Sequence, residues 1–409
     1  MSFTTRPIGT DEVTEFRTNL NQGFGADIKT DSLAEGNARF TALVDLDRTY
    51  ASFDADTMVG TAAAFTFDVA IPGGSTAMGG LTMVTVRPTH TRRGVLREMM
   101  TAHIADVRDR GEPLSGLWAS ESSIYGRFGF GLAAERVEAS FDARHVGFPD
   151  GPARGEVRLI SPEEAAKVLP AIYERAFGQR PGMLSRSDQW WEHERLHDPE
   201  EWRDGATARR FAVLSVDGED AGYAMYRQKE KWEGSLPDGA VRVAELIAVD
   251  AGSRLALWRF LASIDLFPNV SHWNSPTDDE LAWQVADPRR ITRKVVDGLY
   301  LRPVDVVAAM EARAYLSSGK IVIGLHDRAD PGAAAVYRLE VSSEGAACAR
   351  TSEAPDVEMN VHTLGTLYLG GRHTFPLASA GAITGTDRGI ALLDRLLAWH
   401  VTPWCPEVF

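Results

Sequence analysis

The sequence predicts a multidomain chain of α/β and α+β type, and three observations carry that prediction. Its 409 residues exceed what one hydrophobic core supports, at roughly 100–200 residues per domain. Strand-like and helix-like periods alternate before and after about residue 150, and a third stretch beyond Arg302 follows its own pattern. Hydrophobic residues make up 44% and charged residues 24%, which suits a folded chain rather than a disordered or fibrous one.

In chain order, residues 41–46, 61–71 and 81–86 read as strands and 95–110 as a helix. Within that helix Val95, Leu96, Met99, Met100, His103, Ile104 and Val107 recur at steps of three and four, forming a buried stripe that Gly111 stops. His103 therefore reads as a core residue rather than a ligand. A strand at 116–119, a helical turn at 120–127 and a strand from about Gly129 complete a first α/β unit. Residues 149–155, rich in Gly, Pro and charge, read as a linker. Ser161-Pro162-Glu163-Glu164 then opens a helix, with a Ser N-cap, Pro at the first helical position and an acid three residues on.

Strands at 211–216 and 222–227, joined through Asp217-Gly218, lead to a strand at 240–249 and a helix at 254–264. This strand-then-helix order repeats that of the first unit and suggests an internal duplication. A helix at 303–314, strands at 320–325 and 334–341, and helices at 362–369 and 388–400 form a separate α+β unit. The end of the chain, VTPWCPEVF, carries large apolar side chains where tails are usually polar and frayed, so it should be tied down. The expected domains are 1–148, 149–302 and 303–409.

Forty-three Lys and Arg against fifty-seven Asp and Glu give a net charge of −14, which repels phosphate backbones and attracts cations. That argues against nucleic acid and for a cationic small molecule as partner. Cys348 and Cys405 are too few for a disulfide framework or a thiolate metal site. The N-terminal stretch has acids where a secretory signal is apolar, and the apolar run 61–70 is broken by Asp68. The expectation is a cytoplasmic protein with no membrane span.

The segment GGLTMVTVRPTHTRRGVLREMM, residues 79–100, is the most informative. A strand ends at Val86, an Arg-rich loop turns at Gly94, and a helix starts at once with backbone N–H groups that lack intrahelical acceptors. Its dipole and Arg92, Arg93 and Arg97 favour an anion such as a pyrophosphate. It is neither a Walker loop nor a G-x-G-x-x-G fingerprint.

This strand, loop and helix resembles the acetyl-CoA loop of the GNAT superfamily of N-acetyltransferases, although Thr91 and Leu96 depart from its usual residues. Together with ASESSIYGRFGFG (119–131), LWRFLASID (257–265) and LGTLYLGG (364–371), it resembles the enhanced intracellular survival (Eis) family over essentially the whole chain. The resemblance implies two tandem GNAT-like domains followed by a sterol-carrier-like domain, homohexameric assembly, and acetylation of amines of aminoglycosides or polyamines. It implies acetyl-CoA as co-substrate, with no metal. Val84, Thr85 and Val86 would pair with the pantetheine arm; Arg92, Arg93, Gly94, Val95, Leu96 and Arg97 would hold the pyrophosphate; Ser120 and Glu121 would line the far side of the thioester. Tyr125 falls on the family's general acid, and the terminal carboxylate of Phe409 on its general base. Phe24, Asp27 and Glu407 are the candidates for contact with a cationic substrate in an acidic pocket between domains. The second copy, with Val249-Asp250-Ala251-Gly252-Ser253-Arg254 in place of the Arg-rich loop, is expected to bind no coenzyme.

Two other readings compete. His193-Glu194-Arg195-Leu196-His197 matches the H-E-x-x-H pattern of zinc hydrolases, but Arg195 lies inside the motif and Asp198-Pro199 stops the helix, so both histidines read as surface residues. A non-catalytic acyl-CoA or lipid-binding protein is the non-enzymatic alternative, against which Tyr125 and Phe409 argue.

Overall fold

The computed structural model describes residues 3–26, 33–148, 154–329 and 334–409. The chain divides into two compact units, one of residues 1–134, 298–403 and 407–409, the other of 135–297 and 404–406.

In the first unit a seven-stranded sheet runs in the order Thr4–Arg6, Ala51–Asp54, Thr57–Ile71, Gly74–Val86, Leu114–Trp118, Leu299–Pro303, Gly131–Leu132. Only Gly74–Val86 and Leu114–Trp118 are parallel. Parallel neighbours need a crossover, which the Val95–Asp109 helix supplies, with Val95, Met99, Met100, His103, Ile104 and Val107 buried as the stripe predicts. His103 is fully enclosed, its Nε2 lies 2.7 Å from Ser115 Oγ, and burial lowers its pKa to about 3.

A five-stranded sheet in the same unit has the order Gly345–Arg350, Ala335–Ser342, Gly319–His326, Val357–Asn360, Ile383–Gly385. The helix Val361–Tyr368, which follows its Val357–Asn360 strand, packs tightly on the first sheet. A Cβ at Gly131 would meet His362 O at 1.8 Å, so only glycine fits there. Arg302 donates to Phe128 O at 2.7 Å and pairs with Asp327 at 2.5 Å, all buried.

The second unit has a seven-stranded sheet in the order Thr292–Asp297, Glu135–Asp142, Asn269–Ser275, Ala240–Ala248, Glu219–Lys229, Arg210–Val216, Glu156–Ile160. Again one pair is parallel, Ala240–Ala248 with Asn269–Ser275, and again a helix, Ala251–Ala262, makes the crossover. The duplication expected from the sequence is thus a repeated parallel pair with its crossover helix. Ser161 caps Pro162–Ala176 through Glu164 N at 3.2 Å, as its motif predicts.

Some readings are corrected. Residues 41–46 are not a strand: Leu33–Leu43 is a helix that buries Phe40 against Phe16, with ring centroids 5.4 Å apart, and a 3-10 turn follows at Leu46–Arg48. The helix expected at 303–314 is Val306–Ala312, because Pro303 ends a strand and Asp305 caps the helix through Ala308 N at 3.0 Å. The sheets also exchange strands relative to the expected domains: Glu135–Asp142 pairs with Asn269–Ser275, while Leu299–Pro303 pairs with Leu114–Trp118. Periodicity identifies a strand but not its partner. Among the described residues no helix is long and apolar enough to cross a membrane.

Candidate active site

The start of the Val95–Asp109 helix is open. Gly94 occupies the N-cap with φ 100°, no side chain caps the helix, and its carbonyl accepts the first helical bond from Glu98 N at 3.1 Å. Arg92 has φ 62°, also left-handed, which is strained for a side-chain-bearing residue and curls the preceding loop. The amides of Val95, Leu96 and Arg97 are then left for a ligand. Val95 packs into the core, tight enough that a Cβ at Gly60 would approach its Cγ1 to 2.7 Å, so what it presents there is backbone.

The adjacent strand supplies an edge. Parallel pairing stops at Leu81↔Leu117, while Gly74–Val86 continues to Val86, paired with Thr57–Ile71 through Thr61↔Thr85 and Gly60↔Val86. A bulge marks the change, with Met83 at φ 58° and its carbonyl accepting from Thr61 Oγ1 at 3.0 Å. Val84–Val86 therefore keep one backbone edge that Leu114–Trp118 does not take up, and an extended arm can add to such an edge. Gly23 lies against the Thr85 side chain, which a Cβ there would approach to 2.6 Å, and lines the same opening.

Edge and helix start open into one cavity of about 1480 Å³. Ten of the eleven coenzyme residues predicted from sequence line it: Val84, Thr85 and Val86; Arg92, Gly94, Val95, Leu96 and Arg97; Ser120 and Glu121. Arg93 does not, because it turns towards Asp54 at 3.5 Å and lies 5.5 Å from the centre of the Phe3 ring. Tyr125 and Phe24 line it as well. Tyr125 is 4% exposed and packs edge-on to Phe130 at 6.3 Å; burial, with Glu121 adding to it, raises the phenol's pKa. The phenol therefore keeps its proton at neutral pH.

Sequence reasoning found only part of the basic lining. Besides Arg92 and Arg97, the cavity takes Arg108, Arg127, Arg302 and Arg328, while Glu121 is its one acid among the described residues. The net charge of −14 gave no hint of this, because a chain average hides a local field. An open helix start, a free strand edge and five arginines besides Arg302, whose charge Asp327 meets, fit a long anionic coenzyme.

The C-terminus is folded back. The Phe409 ring packs on Phe67 with centroids 5.2 Å apart and over Gly80, where a Cβ would meet its Cε2 at 3.0 Å. Gly79 and Gly80 point to opposite faces of the sheet; Gly79 faces Val107 of the helix, so Phe409 lies on the other face. Glu407 is completely buried and so is inaccessible to a soluble amine in this conformation, whereas Phe24 is 58% exposed. Asp27 lies outside the described residues.

The remaining motifs are engaged otherwise. Trp191–Arg195 is a π-helical turn that ends before His197, so the two histidines do not share a helical face. Arg195 pairs with buried Glu245, and the His197 ring meets Trp202 edge-on at 5.2 Å. Both histidines are half-buried rather than on the surface. Among the described residues no group of three His, Cys, Asp or Glu is gathered for a metal.

Comparison with known proteins agrees with this architecture. Residues 4–133 and 182–303 each match an acetyltransferase (GNAT) domain, and 306–406 match a sterol carrier protein domain. The chain is 39% identical to an uncharacterized N-acetyltransferase of Streptomyces avermitilis over 92% of its own length and 93% of that protein's. It is 36% identical to the N-acetyltransferase Eis of Mycobacterium bovis, over 83% and 82%. The crystal structure of Eis1 from Mycobacterium abscessus superposes with a TM-score of 0.85 at 29% identity, covering 99% of this chain and all of that one. With two GNAT domains, a carrier-like third domain and relatives matched along nearly its whole length, the chain belongs to the Eis family of GNAT N-acetyltransferases.

Proposed function

We propose that the chain transfers the acetyl group of acetyl-CoA directly to an amine of a cationic small molecule of the aminoglycoside or polyamine kind. The observation that carries this reading is the continuity of one basic cavity from an open helix start to a buried phenol. Arg92, Arg97 and the amides after Gly94 hold the pyrophosphate; Val84–Val86 align the pantetheine arm; Ser120 and Glu121 flank the thioester. The coenzyme supplies an activated acetyl carbonyl whose departing sulfur must take up a proton. Tyr125 gives that proton, since its pKa is raised by burial and it stays neutral at physiological pH. The terminal carboxylate of Phe409 accepts the proton the amine loses as the C–N bond forms and the C–S bond breaks. The seat of its ring on Phe67 supports this by immobilising the terminus. Phe24 offers an exposed ring to the amine, and Asp27 a carboxylate. Homohexameric assembly and cytoplasmic residence belong to the same proposal.

The test is thiol release from acetyl-CoA with an aminoglycoside, spermidine and a lysine peptide, for the native chain and for one extended by a few residues after Phe409. The native chain should turn over at least one amine; the extended chain should bind acetyl-CoA but not turn over. Full activity after extension would remove the base. Coenzyme binding without thiol release from any amine would point to the non-catalytic acyl-CoA carrier instead.

A further inference from the structure

In the second unit the place that corresponds to the coenzyme cleft is filled by protein. Parallel pairing there ends at Val243↔His272, as it ends at Leu81↔Leu117 in the first unit. Past that point the edge of Ala240–Ala248 is taken by side chains: Trp273 Nε1 donates to Ala244 O at 3.0 Å and Arg254 Nη1 to Leu246 O at 3.0 Å. Against this opening lies the chain's own tail. Trp404 Nε1 donates to Asn274 Oδ1 at 2.8 Å, and Asn274 Nδ2 donates back to Cys405 O at 3.1 Å. Trp404 N donates to Pro181 O at 2.8 Å, and Gly182, at φ 96°, leaves room for Trp404 O, which a Cβ would approach to 2.9 Å. The guanidinium of Arg254, at the start of the crossover helix, lies 6.0 Å from the Trp404 ring centre. Trp404 and Cys405 are 4% and 2% exposed.

We propose that the duplicated domain has turned its coenzyme-type opening into a seat for the C-terminal tail, and that Asn274 and Trp404 are positioning residues for Phe409. Only three residues follow the seated Pro406, and three extended residues reach about 10 Å. Fixing 404–406 therefore confines the terminus. The seat rests on contacts alone; its link to turnover rests on the terminal-carboxylate reading above.

The experiment is timed release of Phe409 by carboxypeptidase A from the native full-length chain, from Asn274→Ala and from Trp404→Phe, alongside kcat and the acetyl-CoA KM. Asn274→Ala removes both side-chain bonds. Release should rise about tenfold or more, as expected when bonds holding a closed segment are lost, with kcat falling and KM for acetyl-CoA unchanged. Trp404→Phe keeps a ring in the slot and loses one bond, so it should show a smaller rise; it carries the test if Asn274→Ala lowers the Tm. Release at the native rate from both variants overturns the seat. Faster release with unchanged kcat keeps the seat and removes the carboxylate base, which separates the two readings.

Discussion

The helices beginning at Val95 in the first unit and at Ala251 in the second occupy the same step of one strand–helix–strand plan, and they meet it with opposite electrostatics. Eight residues, Arg87–Gly94, separate strand from helix in the first; two, Val249 and Asp250, do so in the second. The longer loop carries the two left-handed residues Arg92 and Gly94 and leaves the first amides uncapped. In the shorter one Asp250 accepts from Ser253 N at 2.8 Å and pairs with Arg154 at 2.9 Å, while Arg254 is bound to Asp279 at 2.6 Å. A carboxylate of the chain thus takes the position that an anionic ligand would occupy. Binding at a helix start depends less on the fold than on whether the chain satisfies that start itself.

The comparison breaks most readily at Tyr125, the general acid proposed for the first cavity. Tyr125→Phe should lower kcat by about a hundredfold or more, the usual scale of a general acid, and change acetyl-CoA affinity little. Unchanged turnover would exclude the phenol. The pH profile gives a second check. Because the folded pKa is raised above the ordinary tyrosine value near 10, the acid stays protonated below that pH, so kcat should show no alkaline fall from Tyr125 beneath it. A loss centred below pH 9 would contradict this.

Gly94→Asp tests the comparison directly by giving the first start the acidic cap of the second. An anion at a helix start gains up to about 2 kcal/mol, and the new carboxylate both occupies the amides and repels phosphate. Acetyl-CoA affinity, measured by titration calorimetry, should fall about thirtyfold, equivalent to those 2 kcal/mol. Native affinity in a folded variant would show that the helix start is not where the coenzyme binds. A milder change is Arg97→Ala, which removes one exposed charge from the cavity and should weaken binding about tenfold, with more loss at low salt than at high.

The first start was legible in the sequence because its determinants are local. Gly94, the arginines around it and the stripe from Val95 to Val107 lie within one short stretch. The Asp250 cap was legible in principle too, since an Asp three residues before a Ser at a helix start is a capping pattern, but the helix was expected to begin at Arg254. Distant partners were not legible. Arg302 reaches the cavity from a late strand that pairs with Leu114–Trp118, Arg328 from just beyond Gly319–His326 of the five-stranded sheet, and Trp273 reaches Ala244 only because two strands part. Nor did periodicity show that Glu135–Asp142 and Leu299–Pro303 would pair outside their expected domains, because alternation fixes which face is buried, not which edge is neighbour.

The smallest effect is expected from the reverse exchange, Asp250→Ala. It removes the cap from the second start, which costs about 1 kcal/mol of stability; the ion pair with Arg154, both side chains more than a third exposed, adds little. Freed amides alone do not make a coenzyme site there. The loop stays two residues long, without room for the curl that Arg92 and Gly94 make, and the strand edge stays occupied by Trp273 and Arg254. The variant should therefore unfold a few degrees lower at most, with acetyl-CoA stoichiometry and turnover unchanged. A second equivalent of coenzyme bound by Asp250→Ala would mean that the cap alone closes the second copy, and that loop length and the filled edge are incidental to it.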